Sequence, residues 1–353
     1  MKREIFVGKV GIGGSHPVSI QSMTNTAAED VEGTLRQIRR LKAAGCDIVR
    51  VAVPQKTSLA AFKRMVARSV LPVIADIHFD AALALGALEN GAHGVRINPG
   101  NIGGSAKLKA VIRLAAQKKV PIRIGVNAGS LEKKYRRPGL DRAEAMAASL
   151  LDKVKFFEDQ GFFDLKLSLK SHDAAETVAA NRLADRSCAY PLHLGVTEAG
   201  SYFAGSIRSA VGIGSLLLDG IGNTIRVSLT ADPVREIRVA RQILASVGLG
   251  RGGIDVVSCP TCARASVDLI PLVEEFARRS RRLRFPGRLR VALMGCEVNG
   301  PGEAADADVG LAFSRQRAFL FRKGRIVART GADEAIPRLL ELIGELAMEA
   351  DRV

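Results

Sequence analysis

Tryptophan is absent from the 353-residue chain, tyrosine occurs three times, and aromatic residues make up 5% of it. Proteins that hold single-stranded nucleic acid stack bases on aromatic platforms, so this scarcity argues against that use of a basic chain. Cysteine is sparse and odd in number. Cys46, Cys188, Cys259, Cys262 and Cys296 cannot all pair, which disfavours a disulfide framework and points to metal or redox chemistry. Long hydrophobic runs are missing as well. None approaches the roughly 18 residues that cross a bilayer, and the opening MKREIFVGKVGIGG lacks the apolar core of a secretory signal, so the expected compartment is the cytoplasm, without a membrane partner. No internal repeat or low-complexity tract interrupts the chain.

What is present is the composition of a globular protein, 47% hydrophobic and 25% charged. At roughly 150 residues per domain, the length suggests two domains, or one large and one small. Lys and Arg number 52 against 36 Asp and Glu, a net charge of +16, which implies anionic partners.

From Val18 onward, short β-rich runs alternate with runs of helical period, the signature of a parallel sheet with crossover helices. The strand-like runs are Val18 to Met23, Asp47 to Val53, Pro72 to His78, Gly94 to Asn98, Pro121 to Asn127, Phe163 to Leu169, Pro191 to Thr197 and Asn223 to Leu229. Eight such units predict a TIM (β/α)8 barrel over residues 1–247; a doubly wound open sheet is the alternative, because pattern does not reveal closure. The glycine-rich GLGRGG at 248–253 reads as a linker, and residues 254–353 as a second, small α/β domain.

Barrel strands are ordinarily apolar on both faces. Here Arg96 and Asn98, Arg123 and Asn127, Lys166, Ser168 and Lys170, His193 and Thr197, and Arg226 and Ser228 each keep one parity while aliphatic residues keep the other. With Arg50, this places six cations on or near one inward face. Salt bridges to Asp76, Asp164, Glu198 and Asp219 would account for two or three of them. The rest call for an anion at the barrel mouth, of about two phosphate groups. The glycine-rich NPGNIGG at 98–104 opens onto a helix and offers further N–H groups to phosphate, while Asp76, His78 and Asp80 are candidate orienters or acid/base groups. Cys46 and Cys188 read as core packing.

The second domain carries SCPTC, with Cys259 and Cys262, and GCEVNGPGE, with Cys296 and Glu303. A C-x-x-C pair is open to three readings. A thioredoxin-like site does not suit its position after the barrel, and structural zinc lacks a fourth Cys or a nearby His, since all five histidines precede residue 194. Three thiolates and one carboxylate suit a 4Fe-4S cluster with one exchangeable iron; Glu297 is the fallback for Glu303. The run ARRSRRLRFPGRLR at 277–290 holds seven arginines and reads either as a solvated helix end or as a dock for an acidic electron carrier.

These motifs, in order VGIGGSHPVSIQSMTNT, VRINPGNIG, PLHLGVTEAG, DGIGNTIRVSLT, SCPTC and MGCEVNGPGEA, closely resemble the bacterial 4-hydroxy-3-methylbut-2-en-1-yl diphosphate synthases of the methylerythritol phosphate route to isoprenoids. The resemblance covers essentially the whole chain. It implies a barrel that binds 2-C-methyl-D-erythritol 2,4-cyclodiphosphate, and a 4Fe-4S cluster on Cys259, Cys262, Cys296 and Glu303. The reaction it implies is a two-electron ring opening with loss of a hydroxyl as water, fed by a flavodoxin or ferredoxin, with Glu198 as a candidate proton donor. Ala263 and the stretch LAFSRQRAFLF at 311–321 depart from the family pattern. A phosphate-binding barrel lyase or synthase similar to dihydropteroate synthases, with a structural metal, is the competing reading. The last barrel helix should end at the face opposite the substrate, and the short linker makes the chain's own mouth hard to reach, so a head-to-tail homodimer is expected.

Overall fold

In the computed structural model, residues 2–136, 139–280, 283, 285, 287–296, 304, 306–315 and 317–350 are described. The chain divides into two compact units, 1–249 and 250–353.

A short antiparallel hairpin, β1 (Ile5–Val7) and β2 (Val10–Ile12), opens the first unit. Eight parallel strands follow: β3 (Ser19–Met23), β4 (Ile48–Ala52), β5 (Val73–Asp76), β6 (Gly94–Ile97), β7 (Ile122–Asn127), β8 (Leu165–Lys170), β9 (His193–Leu194) and β10 (Thr224–Ile225). Each pairs with the next in sequence, except that β8 and β9 meet through a single bridge, Leu167 to Leu192; β10 returns to pair with β3. The sheet therefore closes on itself as a TIM barrel, as the alternation predicts, and the open-sheet alternative falls.

A helix follows every strand: α1 (Val31–Ala44), α2 (Ser58–Arg68), α3 (Ala81–Glu89), α4 (Ser105–Lys118), α5 (Arg142–Glu158), α6 (Ala174–Ser187), α7 (Tyr202–Leu218) and α8 (Pro233–Ser246). Five of them begin at an aspartate (Asp30, Asp80, Asp141, Asp173, Asp232) whose carboxylate accepts a first-turn N–H, which fixes where strand-to-helix loops end. The outward strand residues, such as Val49, Ala75, Val95, Ile124 and Leu167, pack under these helices in one continuous core.

The last two strands are shorter than the seven-residue runs read from sequence. A Cβ on Gly195 would stand 2.4 Å from the Arg226 carbonyl oxygen, and this close backbone approach marks where the regular ladder ends. At the amino-terminal end of the strands, Ile5, Val7 and Ile12 of the hairpin pack against Ile48 and Ile74, plugging the floor of the barrel with aliphatic side chains.

The second unit is a five-stranded sheet in the order β11 (Gly253–Ser258), β12 (Arg288–Met294), β13 (Val309–Ser314), β14 (Arg317–Arg322) and β15 (Arg325–Gly331). The first three strands are parallel and the last two antiparallel. Helices α9 (Leu269–Ser280) and α10 (Ala335–Ala350) cover one face, where Phe276, Leu339 and Ile343 meet Val291, Leu311 and Phe313. The opposite face carries a small cluster with Ala292, Met294 and Phe321, against which Cys259 packs.

Candidate active site

Parity and register together build the barrel site. Asp76, Arg96, Arg123 and Lys166 are register partners across β5 to β8, so their side chains form one inward row. Arg50 lies a step lower, in register with Ile74. Two steps higher, past Gly125 and Ser168, come Asn127 and Lys170, themselves in register, and Arg226, whose N–H donates to Leu194 O at 3.0 Å. Gly125 and Gly195 hold the inward places between long side chains: an added Cβ would sit 3.1 Å from Ser168 Oγ in the first case and 2.7 Å from Lys170 Nζ in the second. Only a residue without a side chain leaves this interior room.

Every one of these cations except Arg226 is buried, Lys166 to 2% exposure. The acids expected to neutralise them are mostly elsewhere. Asp219 pairs with Arg182 on the helical ring, while Asp164 and Glu198 are exposed. Asp76 alone enters the row, with Oδ2 3.7 Å from Arg50 Nε and Oδ1 3.4 Å from Arg96 Nη1. Arg50 also donates to the Met23 thioether at 3.3 and 3.0 Å. His78 Nε2 lies 3.3 Å from Asp76 Oδ2 and 2.9 Å from Arg96 Nη1, so the His78 and Asp76 of the ADIHFD motif join the site, while Asp80 caps α3.

The remaining polar atoms have no partner among the described residues: Arg96 Nε, Arg123 Nε and Nη1, Lys166 Nζ, Arg226 Nε, Ser168 Oγ and both ring nitrogens of His193. An uncompensated buried charge costs several kcal/mol, and titration reflects that cost. Burial, reinforced by neighbouring cations, drives Arg123, Lys166, Lys170 and His193 well below their ordinary pKa values. Burial likewise pushes Arg50 down to about 9, although Asp76 opposes it. For Asp76, burial alone would raise the carboxyl; Arg50, the His78 contact, Arg96 and Arg123 outweigh it and hold the group well below the usual carboxylate range. An interior of this kind is built to receive an anion that supplies the missing partners.

Asn98, Asn127 and Ser228 are half-buried at the mouth. Asn98 Oδ1 accepts the Gly100 N–H at 3.3 Å. Glu198 stands on the loop after β9 with φ of +52°, a left-handed backbone that few non-glycine residues adopt. Two inward or rim groups escaped the sequence reading. Gln21 is buried on β3 with neither amide atom partnered among the described residues, and Glu236 on α8 is a buried carboxylate that accepts the Leu229 N–H at 2.9 Å. Burial raises the Glu236 carboxyl, with Arg226 opposing. The parity of SIQSM was available as a signal for Gln21, whereas nothing local marks Glu236.

In the second unit, Cys259 directly follows β11 and Cys296 lies two residues past β12, so both leave the same edge of two paired parallel strands. Gly295 N–H donates to Cys259 Sγ at 3.3 Å, and Ser266 N–H donates to Gly295 O at 2.8 Å, which ties the SCPTC loop to the Cys296 turn. Cys262 is exposed between them and Cys296 is buried. Among the described residues no three His, Cys, Asp or Glu side chains stand together as a metal-holding group, and Glu303 and Glu297 lie outside those residues. Soft thiol donors at one strand edge, with a backbone N–H aimed at sulfur, fit an iron-sulfur centre. Cys46 is buried in the barrel core, its thiol pushed up to about 12 by burial, and Cys188 is half-buried; neither joins this edge. Ala263 is exposed, and the departing stretch at 311–321 forms most of the β13 and β14 hairpin.

Of the arginine run, the described members Arg278, Arg279, Arg288 and Arg290 lie away from the strand edge that carries the cysteines. Helix α9 runs away from the Ser266 contact, and β12 starts at Arg288, about 20 Å of strand from the Cys296 edge. Its described members are partly matched, as in Arg279–Glu275 and Arg288–Asp255.

Comparison with known proteins agrees with both units. Residues 2–241 match the GcpE TIM-barrel domain and residues 255–345 the GcpE protein C-terminal domain. A 4-hydroxy-3-methylbut-2-en-1-yl diphosphate synthase (flavodoxin) of Caldanaerobacter subterraneus subsp. tengcongensis is 48% identical over 350 residues, 99% of this chain and 98% of that protein. The protein of the same name from Geobacter sulfurreducens is 49% identical over 348 residues, covering 98% of each. Among solved structures, Yersinia pestis dihydropteroate synthase superposes with a TM-score of 0.51 at 13% identity, over 70% of this chain and 98% of that one, which shows a shared barrel fold alone. With both domains matched and nearly the full length aligned, the chain belongs to the GcpE family, that of the 4-hydroxy-3-methylbut-2-en-1-yl diphosphate synthases.

Proposed function

We propose that the chain converts 2-C-methyl-D-erythritol 2,4-cyclodiphosphate to 4-hydroxy-3-methylbut-2-enyl diphosphate, the product that its relatives' name gives. The observation that carries this reading is the inward array of six cations that outnumber the buried carboxylates Asp76 and Glu236, with buried nitrogens that lack partners among the described residues. A cyclic diphosphate supplies phosphate oxygens for Arg50, Arg96, Arg123, Lys166, Lys170 and Arg226, while Asn98, Asn127, Ser168, His193 and Ser228 offer neutral hydrogen bonds to the phosphates and the sugar-derived carbons' hydroxyls. Opening the ring leaves one more negative charge on the diphosphate, and a surplus of cations favours that change. The aliphatic floor excludes water from below.

Cys259, Cys262, Cys296 and Glu303 would hold a 4Fe-4S cluster, which supplies single electrons and an iron accessible to oxygen. Glu198, exposed on the loop after β9, would supply the proton that leaves with the hydroxyl as water. An acidic carrier, flavodoxin or ferredoxin, delivers the electrons; the cytoplasm, where free cysteines stay reduced, is the fitting compartment. Homodimer formation is supported by α7, whose Phe203, Ile207, Val211 and Leu218 are exposed on one helix face.

The deciding experiment purifies the protein without oxygen, assays iron and sulfide, and supplies the cyclic diphosphate with reduced flavodoxin. About four iron and four sulfide per chain with formation of the linear allylic diphosphate are expected. A colourless zinc protein that leaves the cyclic diphosphate intact overturns the reading.

A further inference from the structure

Glu132 lies on the loop after β7, outside the cationic array, yet it is held from three sides. Its carboxylate receives Lys153 Nζ at 2.5 Å and Ser149 Oγ at 2.7 Å, both from α5. Lys153 Nζ also reaches Ser149 Oγ at 2.6 Å, so the three groups close a triangle, and Lys153 is buried. Burial alone would raise the Glu132 carboxyl, but the Lys153 and Ser149 bonds outweigh it and keep the group ionised. A second clamp stands one step further along the loop, where Tyr135 OH and Lys134 Nζ both donate to Asp152.

The third side is the neighbouring loop. A Cβ added at Gly100 would come within 2.9 Å of Glu132 Oε1, so the carboxylate lies against the backbone of the Pro99–Asn101 turn. Such a clash is cheap when the offending side chain swings away, but here two hydrogen-bonding partners pin it. Gly100 is also the residue whose N–H donates to Asn98 Oδ1. Glu132 thus connects the loop that follows Asn127 to the turn that orients Asn98, at the carboxyl ends of adjacent strands β6 and β7.

We propose that Glu132, gripped by Lys153 and Ser149 and braced against Gly100, is a positioning residue that holds the Asn98 and Asn127 amides in register at the substrate mouth. The inference rests on the proposed function, since it takes those amides as substrate contacts. Effective orientation of a polar group is lost by displacements of about 1 Å, so removing a brace weakens binding without removing a contact.

The test combines Gly100→Ala and Glu132→Ala, measuring the cyclic diphosphate's affinity calorimetrically on the cluster-loaded protein without reductant, KM and kcat on the same protein with reduced flavodoxin, and the melting temperature. Glu132→Ala should weaken binding and raise KM by about three- to tenfold, with kcat within about twofold, and should lower the melting temperature because buried Lys153 loses its carboxylate. Gly100→Ala should be harmful in the wild-type chain and silent in the Glu132→Ala background, because the clash partner is gone. Lys153→Arg should keep most of the affinity that Lys153→Met loses. Equal harm from Gly100→Ala in both backgrounds, or a fall in kcat that follows the melting temperature, overturns the proposal. Normal binding by Glu132→Ala overturns it too and leaves the proposed function standing, whereas a wild-type chain that does not bind the cyclic diphosphate removes the proposed function itself.

Discussion

The two sheets of this chain treat positive charge in opposite ways. In the barrel, cations point inward, are buried, and share Asp76. In the five-stranded unit, arginines point outward and find partners: Arg288 and Arg290 beside Asp255, Arg322 beside Glu349, Arg338 beside Glu341. Both arrangements contribute to one basic chain, and net charge does not distinguish them. The difference lies in what each requires. Exposed pairs are solvated and contribute about 0–1 kcal/mol, so they demand no further partner. Buried like charges are unfavourable until an anion arrives, and the binding energy of that anion is what makes the arrangement sustainable.

The sharpest way to break this comparison is to remove the acid on each side. Asp76→Asn deprives Arg50 and Arg96 of their buried carboxylate and should destabilise the ligand-free protein by about 3–5 kcal/mol. Asp255→Asn, in a partly exposed pair, should cost less than about 1 kcal/mol. Chemical denaturation of the two variants without ligand measures both. Equal losses would mean that burial does not separate the two environments.

Removing a cation should produce effects of opposite sign. Lys166→Met relieves desolvation and repulsion, so the ligand-free chain should gain about 1–4 kcal/mol of stability. The same substitution removes a charge-assisted contact, about 1.5–3 kcal/mol, and should weaken diphosphate binding at least about tenfold. Arg123→Met should behave alike, while Arg279→Met, from the surface pair with Glu275, should shift neither quantity by more than about 0.5 kcal/mol. A Lys166→Met protein less stable than wild type without ligand would show that this ammonium already has a partner.

How much of this was legible in the sequence follows from the range over which each feature acts. The inward row of Arg96, Arg123 and Lys166 is written as alternation within single strands, and repeated βα units carry the fold, so both could be read directly. The Cys259 and Cys262 pair is local as well. What failed to show was juxtaposition between distant segments. Asp164 and Asp219 are the same residue type as Asp76, and only the barrel's register puts Asp76 beside two arginines and sends Asp219 to Arg182. The arginine run is near the cysteines in number, but helix α9 carries the chain to the other end of the sheet before β12 returns. Likewise, nothing in NPGN announces that a carboxylate from the next loop will rest on Gly100.

The smallest effect concerns protons. Burial and neighbouring cations lower Lys166 and Lys170, so over the interval from their depressed native pKa values up to the ordinary lysine value of about 10.4, the unfolded chain binds more protons than the native one. Stability of the ligand-free protein therefore rises with pH across that interval. His193, lowered by burial and by Lys170, adds the same sign below about 6.5, where the unfolded imidazole charges and the native one does not. A bound diphosphate reverses the cause, since it replaces repulsion by attraction and restores the charged forms. Binding should then take up protons over the interval of the depressed lysine values, and the affinity should fall as pH rises there. Calorimetric titration of the cyclic diphosphate in buffers of differing ionisation enthalpy measures that uptake. Lys166→Met should reduce it and Arg288→Met should not, because Arg288 is already paired with Asp255 at the surface. An uptake of zero in the wild-type protein would mean that the barrel cations are fully charged before the ligand arrives, and the contrast between buried and surface arginines would then rest on sterics alone.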